Sequence, residues 1–122
     1  MLVKTPYNCK HFKALDETLI CELLHPEREE LDLKMNFSIA HAILKPGKSS
    51  LPHEMKSSVE IYFILQGKAI MHIGEESKEV GPNQAIYIPP DSVQWIQNTG
   101  DSDLKFLCMV NPPWKAADEE LS

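Results

Sequence analysis

Several things are scarce in this 122-residue chain, and each scarcity excludes a class of protein. No apolar run approaches the about 20 residues that a bilayer span needs; Ile61-Tyr62-Phe63-Ile64-Leu65, among the longest, is only a fraction of that. The opening Met1-Leu2-Val3-Lys4-Thr5-Pro6-Tyr7 has no apolar stretch of secretory-signal length, so a cytoplasmic location is expected. Positive charge is short: 12 Lys and Arg stand against 18 Asp and Glu, a net charge of −6. Nucleic-acid affinity rests on cations neutralising phosphates, so neither a nucleic-acid partner nor a membrane partner is expected. The three cysteines, Cys9, Cys21 and Cys108, are odd in number and show no CxxC spacing. Reduced thiols are therefore expected, with neither a disulfide nor a structural zinc site. Glycine-rich phosphate loops, HExxH and G-x-S-x-G are also missing.

What is present is dense punctuation between short β-favouring runs. Nine prolines and five glycines separate stretches rich in Ile, Val, Phe and Tyr. Strands are expected at about 18–24, 36–44, 59–66, 68–73, 84–88, 92–97 and 103–110, the pattern of an all-β sandwich or barrel. Residues 10–18 and 114–121 could each form a helical turn or two. Glu27-Arg28-Glu29-Glu30-Leu31-Asp32 reads as an exposed loop, and Asp118-Glu119-Glu120 as a solvated tail. No linker divides the chain. One domain over 1–122 is expected, with a barrel core at about 36–111 and an N-terminal strand and C-terminal tail flanking it.

Two stretches carry the chemistry. In the first, a Pro46-Gly47 turn leads to His53; seven residues later Glu60 opens the apolar run that Gly67 closes. A carboxylate inside such a run costs several kcal/mol unless it is paired. Strand alternation puts Glu60, Tyr62 and Ile64 on one face and Val59, Ile61, Phe63 and Leu65 on the other. In the second, a strand meets Pro89-Pro90-Asp91 and another follows, with Gln94, Ile96 and Asn98 sharing one face.

Gly47-x5-His53-x-Met55-x4-Glu60-x6-Gly67, followed by Pro89-x-Asp91-x2-Gln94-x3-Asn98, resembles the two motifs of the cupins. More narrowly, the chain is similar to small archaeal mannose-6-phosphate isomerase-like cupins of the RmlC-like jelly-roll superfamily. The resemblance implies a double-stranded β-helix, usually dimeric, with its ligand site inside the barrel. In the family three His and one Glu hold a divalent metal. Carried over by position, this chain keeps His53 and Glu60, while Met55 and Gln94 replace two of the histidines.

Two readings of the site follow. In one, His53, Glu60 and Gln94 hold Zn, Fe, Mn or Ni for an isomerase- or dioxygenase-type enzyme, with Glu60 and Tyr62 as catalytic proton-transfer groups. In the other, the pocket is metal-free, Glu60 accepts hydrogen bonds from His53 and Gln94, and the barrel binds or senses a small molecule without turning it over. Met55, Tyr62 and Ile96 are the expected pocket walls in both. His41 is expected to face away from the interior, His25 to sit at a strand end, and Cys108 to be a buried small hydrophobe. A homodimer is expected, using outward apolar residues such as Ile39, Ile43 and Trp95.

Overall fold

The alternating runs and their turns resolve into eleven strands in a computed structural model that describes residues 1–122. In chain order they are β1 (Phe12–Lys13), β2 (Leu19–Leu24), β3 (Ser38–Leu44), β4 (His53–Met55), β5 (Val59–Gln66), β6 (Ala69–Ile73), β7 (Glu76–Val80), β8 (Ala85–Ile88), β9 (Gln94–Asn98), β10 (Leu104–Asn111) and β11 (Glu119–Leu121). They form two antiparallel sheets, ordered β1-β2-β3-β10-β5-β8 and β11-β4-β9-β6-β7. Chain neighbours repeatedly fall in opposite sheets, as a double-stranded β-helix requires.

Period-2 alternation decides which side chains meet between the sheets. From β3 come Ala40, Ala42 and Leu44, from β5 Tyr62 and Ile64, from β10 Leu104, Phe106 and Cys108, and from β9 Ile96. Ile64, Ile96 and Leu104 are fully buried, each worth about 1.5–3 kcal/mol of transfer free energy. The small residues of β3 let the sheets approach, and β10 sits centrally between β3 and β5.

Both ends of the chain differ from expectation. Residues 10–18 form the edge strand β1 and a turn, because Phe12 and Lys13 pair with Ile20 and Leu19. Residues 114–121 form a single 3-10 turn at Ala116–Asp118 and then β11, which satisfies the open edge of β4. Neither segment has the long apolar stripe that would make helix packing compete with an available sheet edge. The acidic tail is held in contacts, although Glu120 remains exposed as expected. Asp118 accepts hydrogen bonds from the Ser57 amide and hydroxyl and from the Ser58 amide, and Glu120 lies 3.0 Å from Lys56.

The cysteine expectation is also overturned. Pairing of β1 with β2 brings Cys9 to Cys21, with Cα atoms 6.0 Å apart, and the two form a disulfide. Cys108 is the free one, buried in the core. An odd count hid a pair because the unpaired thiol lies on the opposite face of the same sheet.

Left-handed backbone occurs at six residues, Asp91 and Gly67 among them. Asp91, standing where the family motif has glycine, has φ of 59°, a conformation that Asp tolerates better than most residues. Gly67 has φ of 99°, and a Cβ there would lie 3.1 Å from the Asp103 carbonyl oxygen and the Leu104 Cα. Gly67→Ala is therefore expected to destabilise the fold by about 1–3 kcal/mol, read as a lower urea midpoint at unchanged slope.

Candidate functional site

Beyond the packed core, the two sheets diverge around a cavity of about 390 Å³. Its floor is Glu60 and Tyr62 of β5 with Phe106 and Cys108 of β10. Ile20 and Glu22 of β2 and Ser38 and Ala40 of β3 form one wall. The mouth is built by the two ends of the chain: Phe12 to Asp16 on one side, Trp114 and Glu119 on the other. The chamber is largely apolar, and it collects four carboxyl groups: Asp16, Glu22, Glu60 and Glu119.

Glu60 is 7% exposed. Its Oε1 accepts a hydrogen bond of 2.9 Å from the Gln94 Nε2–H, and the Tyr62 hydroxyl donates to Gln94 Oε1, also at 2.9 Å. With Glu60 ionised the carboxylate can only accept, and the amide turns its nitrogen toward it. Glu60 Oε2 takes no hydrogen bond, and the side chain faces the cavity. Burial pushes the Glu60 pKa up to about 7; the His53 charge and the Gln94 hydrogen bond oppose this, and the charges of Asp16 and Glu119 reinforce it. Burial likewise raises Glu22 and Glu119, and holds the Tyr62 hydroxyl and Cys108 thiol well above their ordinary values. A thiol so held is a packing group, not a nucleophile.

His53 enters the same chamber from β4, opposite Gln94 in register, but it does not bond Glu60. Its Nδ1–H donates to the Leu51 carbonyl at 2.8 Å, and its Nε2 lies 3.6 Å from Asp16 Oδ2. Asp16 is fixed in turn, its Oδ1 accepting from the Thr18 amide and hydroxyl. The expected His53–Glu60 hydrogen bond is thus replaced by a His53–Asp16 pair. Of the expected pocket walls, Tyr62 lines the cavity. Met55 and Ile96 do not line it: Met55 is buried at the end of β4, its carbonyl accepting from the Asp91 amide, and Ile96 is in the core.

The other histidines follow alternation. His41 points away from the interior and is covered by the N-terminal segment, its Nδ1 2.9 Å from His11 Nε2. His25 is buried at the end of β2 against the Trp114 carbonyl, and His72 stacks on Trp95 on the far side of the second sheet. Asn98, at the end of the second motif, has a folding role: its side chain bonds Leu44, Gly100 and Ser102 around one turn.

Sequence reasoning missed Asp16, Glu22, Glu119 and Trp114. Asp16-x-Thr18 carries an Asx-turn pattern, and the phase of 18–24 puts Glu22 beside Ile20 on the inner face, so both were detectable. Glu119 was not, because its place depends on β11 pairing with β4.

The geometry does not suit a divalent ion. Gln94 presents N–H, not oxygen, toward Glu60; Met55 supplies only a thioether; and His53 is directed at Asp16. In the chamber no three His, Cys, Asp or Glu side chains converge as an ion would need.

Two antiparallel sheets closing on an interior chamber define a double-stranded β-helix, and the sequence comparisons agree. Residues 40–110 match the family described as Cupin domain, and the chain belongs to it. It is 37% identical over 121 residues to "Uncharacterized protein MJ1618" of Methanocaldococcus jannaschii, covering 98% of this chain and 94% of that one. The "Oxalate-binding protein" of Thermotoga maritima is 30% identical over 67 residues, 55% of each chain. Among solved structures, a predicted oxalate decarboxylase from Thermotoga maritima superposes with a TM-score of 0.79 at 22% identity, covering 91% of this chain and 99% of that one.

Glu60 keeps its proton to about pH 7 when folded, against an ordinary carboxylate value of 4.5. The folded chain therefore binds more protons than the unfolded chain between those values, and stability falls as pH rises through that window, by about 3 kcal/mol. Urea titrations from pH 4.5 to 8 should show this fall, and Glu60→Gln should remove most of it. Equal slopes in both proteins would place the Glu60 carboxyl in a solvated environment.

Proposed function

We propose that this cupin binds a small uncharged or cationic molecule with an apolar body, without a metal, through the free oxygen of Glu60. The single observation behind this is the buried Glu60 carboxyl, hydrogen-bonded through Oε1 alone and lining a largely apolar chamber that three further carboxyl groups also line. The volume falls within the usual range for small-molecule pockets, about 300–1,000 Å³. A ligand N–H or O–H would complete the hydrogen bonding of Glu60.

The same features argue against anionic ligands. The chain has a single arginine, Arg28, and it lies over the Trp114 ring, 5.3 Å from the ring centroid; Lys13 is the only cationic side chain that lines the cavity besides His53. A sugar phosphate or oxalate would meet four acids with no guanidinium fork to receive it. For that reason the isomerase-like reading and the ligand named for the Thermotoga maritima relative are not carried over.

A second reading rests on the Glu60 pKa of about 7. A carboxyl poised at that value can take and return a proton near neutrality. Glu60 is then the acid–base group of a proton-transfer step on the same ligand, with Gln94 and Tyr62 as positioning residues.

The test is a thermal-shift and ligand-observed NMR panel on oxidised protein. Small aromatic amines and neutral phenols should bind, and Glu60→Gln should weaken them by about tenfold or more, the value of one charge-assisted hydrogen bond. Oxalate, mannose 6-phosphate, Mn²⁺ and Zn²⁺ should give no shift. Binding of either anion, or metal uptake lost in His53→Ala, would overturn the reading.

We also propose a homodimer. The face of the first sheet turned from the cavity is apolar across three strands: Met109 pairs with Ile39 and Ile61, and Leu107 pairs with Phe63. Covering that face against a second copy removes apolar area from water. Light scattering should give the mass of two chains, and Ile61→Glu should give one.

A further inference from the structure

The disulfide, a pair of touching histidines and the strand register all fall on one spot, on the side of the first sheet opposite the cavity. Cys21 of β2 lies directly across from His41 of β3, so their side chains share a face. Cys9 is bonded to Cys21, and His11 reaches His41 with Nε2 2.9 Å from Nδ1, the rings edge to face at 5.1 Å. His11 immediately precedes Phe12, which pairs with Ile20 and points into the cavity, so alternation turns His11 to the Cys21 side. The disulfide and the two imidazoles therefore lie on one face, joined through the Cys21–His41 strand pair.

We propose that Cys9, His11, Cys21 and His41 form a tetrahedral thiolate–imidazole site for Zn²⁺ when the disulfide is reduced. In the oxidised chain both sulfurs are spent on each other and only the imidazoles remain. A dithiol reductant cleaves the Cys9–Cys21 bond, giving two thiols while the dithiol becomes its own disulfide. Zn²⁺ then displaces the two thiol protons and binds both thiolates.

The imidazoles are already arranged as ligands. His11 Nδ1–H donates to the Cys9 carbonyl at 3.1 Å, which leaves Nε2 with its lone pair directed at His41. This is the outer-shell contact that fixes a ligating histidine in its tautomer. His41 now donates its Nδ1 proton to His11; on metal binding it carries that proton on Nε2 instead. Two nitrogens on one tetrahedral Zn²⁺, each at about 2.0–2.1 Å, stand about 3.3 Å apart, within a few tenths of an ångström of the spacing here. Two thiolates at about 2.3 Å need about 3.8 Å between them, which the freed side chains reach by rotation.

The segment between the two cysteines carries Phe12, Leu15 and Asp16, part of the cavity mouth. Zn²⁺ would replace the disulfide as the clamp on that segment, so the mouth stays assembled in a reducing compartment as in an oxidising one.

Co²⁺ titration of the reduced protein tests this. Wild type should take up one Co²⁺, with thiolate-to-cobalt charge-transfer bands and the intense visible bands of a tetrahedral centre, and Zn²⁺ should displace it. The oxidised protein should show neither. Cys9→Ser with Cys21→Ser should lose the charge-transfer bands. His11→Ala, a milder change at a half-buried position, should weaken affinity by more than about tenfold, the usual upper-end cost of disturbing even an outer-shell partner. Cys108→Ala, His53→Ala and Glu60→Gln should retain the full spectrum. Absence of bands in reduced wild type, or their persistence without Cys9 and Cys21, would overturn the assignment.

Discussion

A carboxyl group buried between two sheets is the constraint around which this molecule is arranged. Glu60 sits in a strand whose other inward residues are Tyr62 and Ile64, so its burial follows from the same alternation that builds the core. Desolvating it is costly, and one amide from the opposite sheet offsets part of that cost. Gln94 can serve only because its own oxygen is satisfied by Tyr62. The three side chains thus tie β5 of one sheet to β9 of the other. What is left over, an oxygen with no partner, is what gives the chamber its chemistry.

The chamber also shows how a family fold changes its use. Where the cupin motif would place imidazoles, this chain has a thioether and an amide. The amide has become a hydrogen-bond donor to the acid, and the one remaining motif histidine has turned to Asp16, a residue outside both motifs. His53 and Gln94 are each engaged in other contacts, with Asp16 and with Glu60 and Tyr62.

Much of the fold was legible because it depends on local pattern. Seven of the eleven strands, the inward phase of Glu60 and Tyr62, the shared face of Gln94 and Ile96, and the outward phase of His41 all follow from period-2 reading, and the motif spacing named the topology; β4 and β7 were not expected. What the sequence hid depends on distant pairing. Cys9 meets Cys21 only after β1 docks on β2, Glu119 enters the cavity only after β11 docks on β4, and His53 prefers Asp16 because a turn 37 residues earlier brings that carboxylate to it. Short edge strands carry almost no periodic signal of their own, and here they build the mouth.

The two tryptophans occupy different places, and this makes the molecule its own optical instrument. Trp95 lies flat on His72, with ring centroids 4.2 Å apart and planes 6° from parallel, on the far side of the second sheet. Trp114 stands at the rim of the chamber, its indole N–H held by Glu119 at 2.8 Å. Fluorescence from the first answers to the charge on one imidazole. Fluorescence from the second answers to whatever enters beside Glu119, so filling of the chamber can be followed by light without attaching a label.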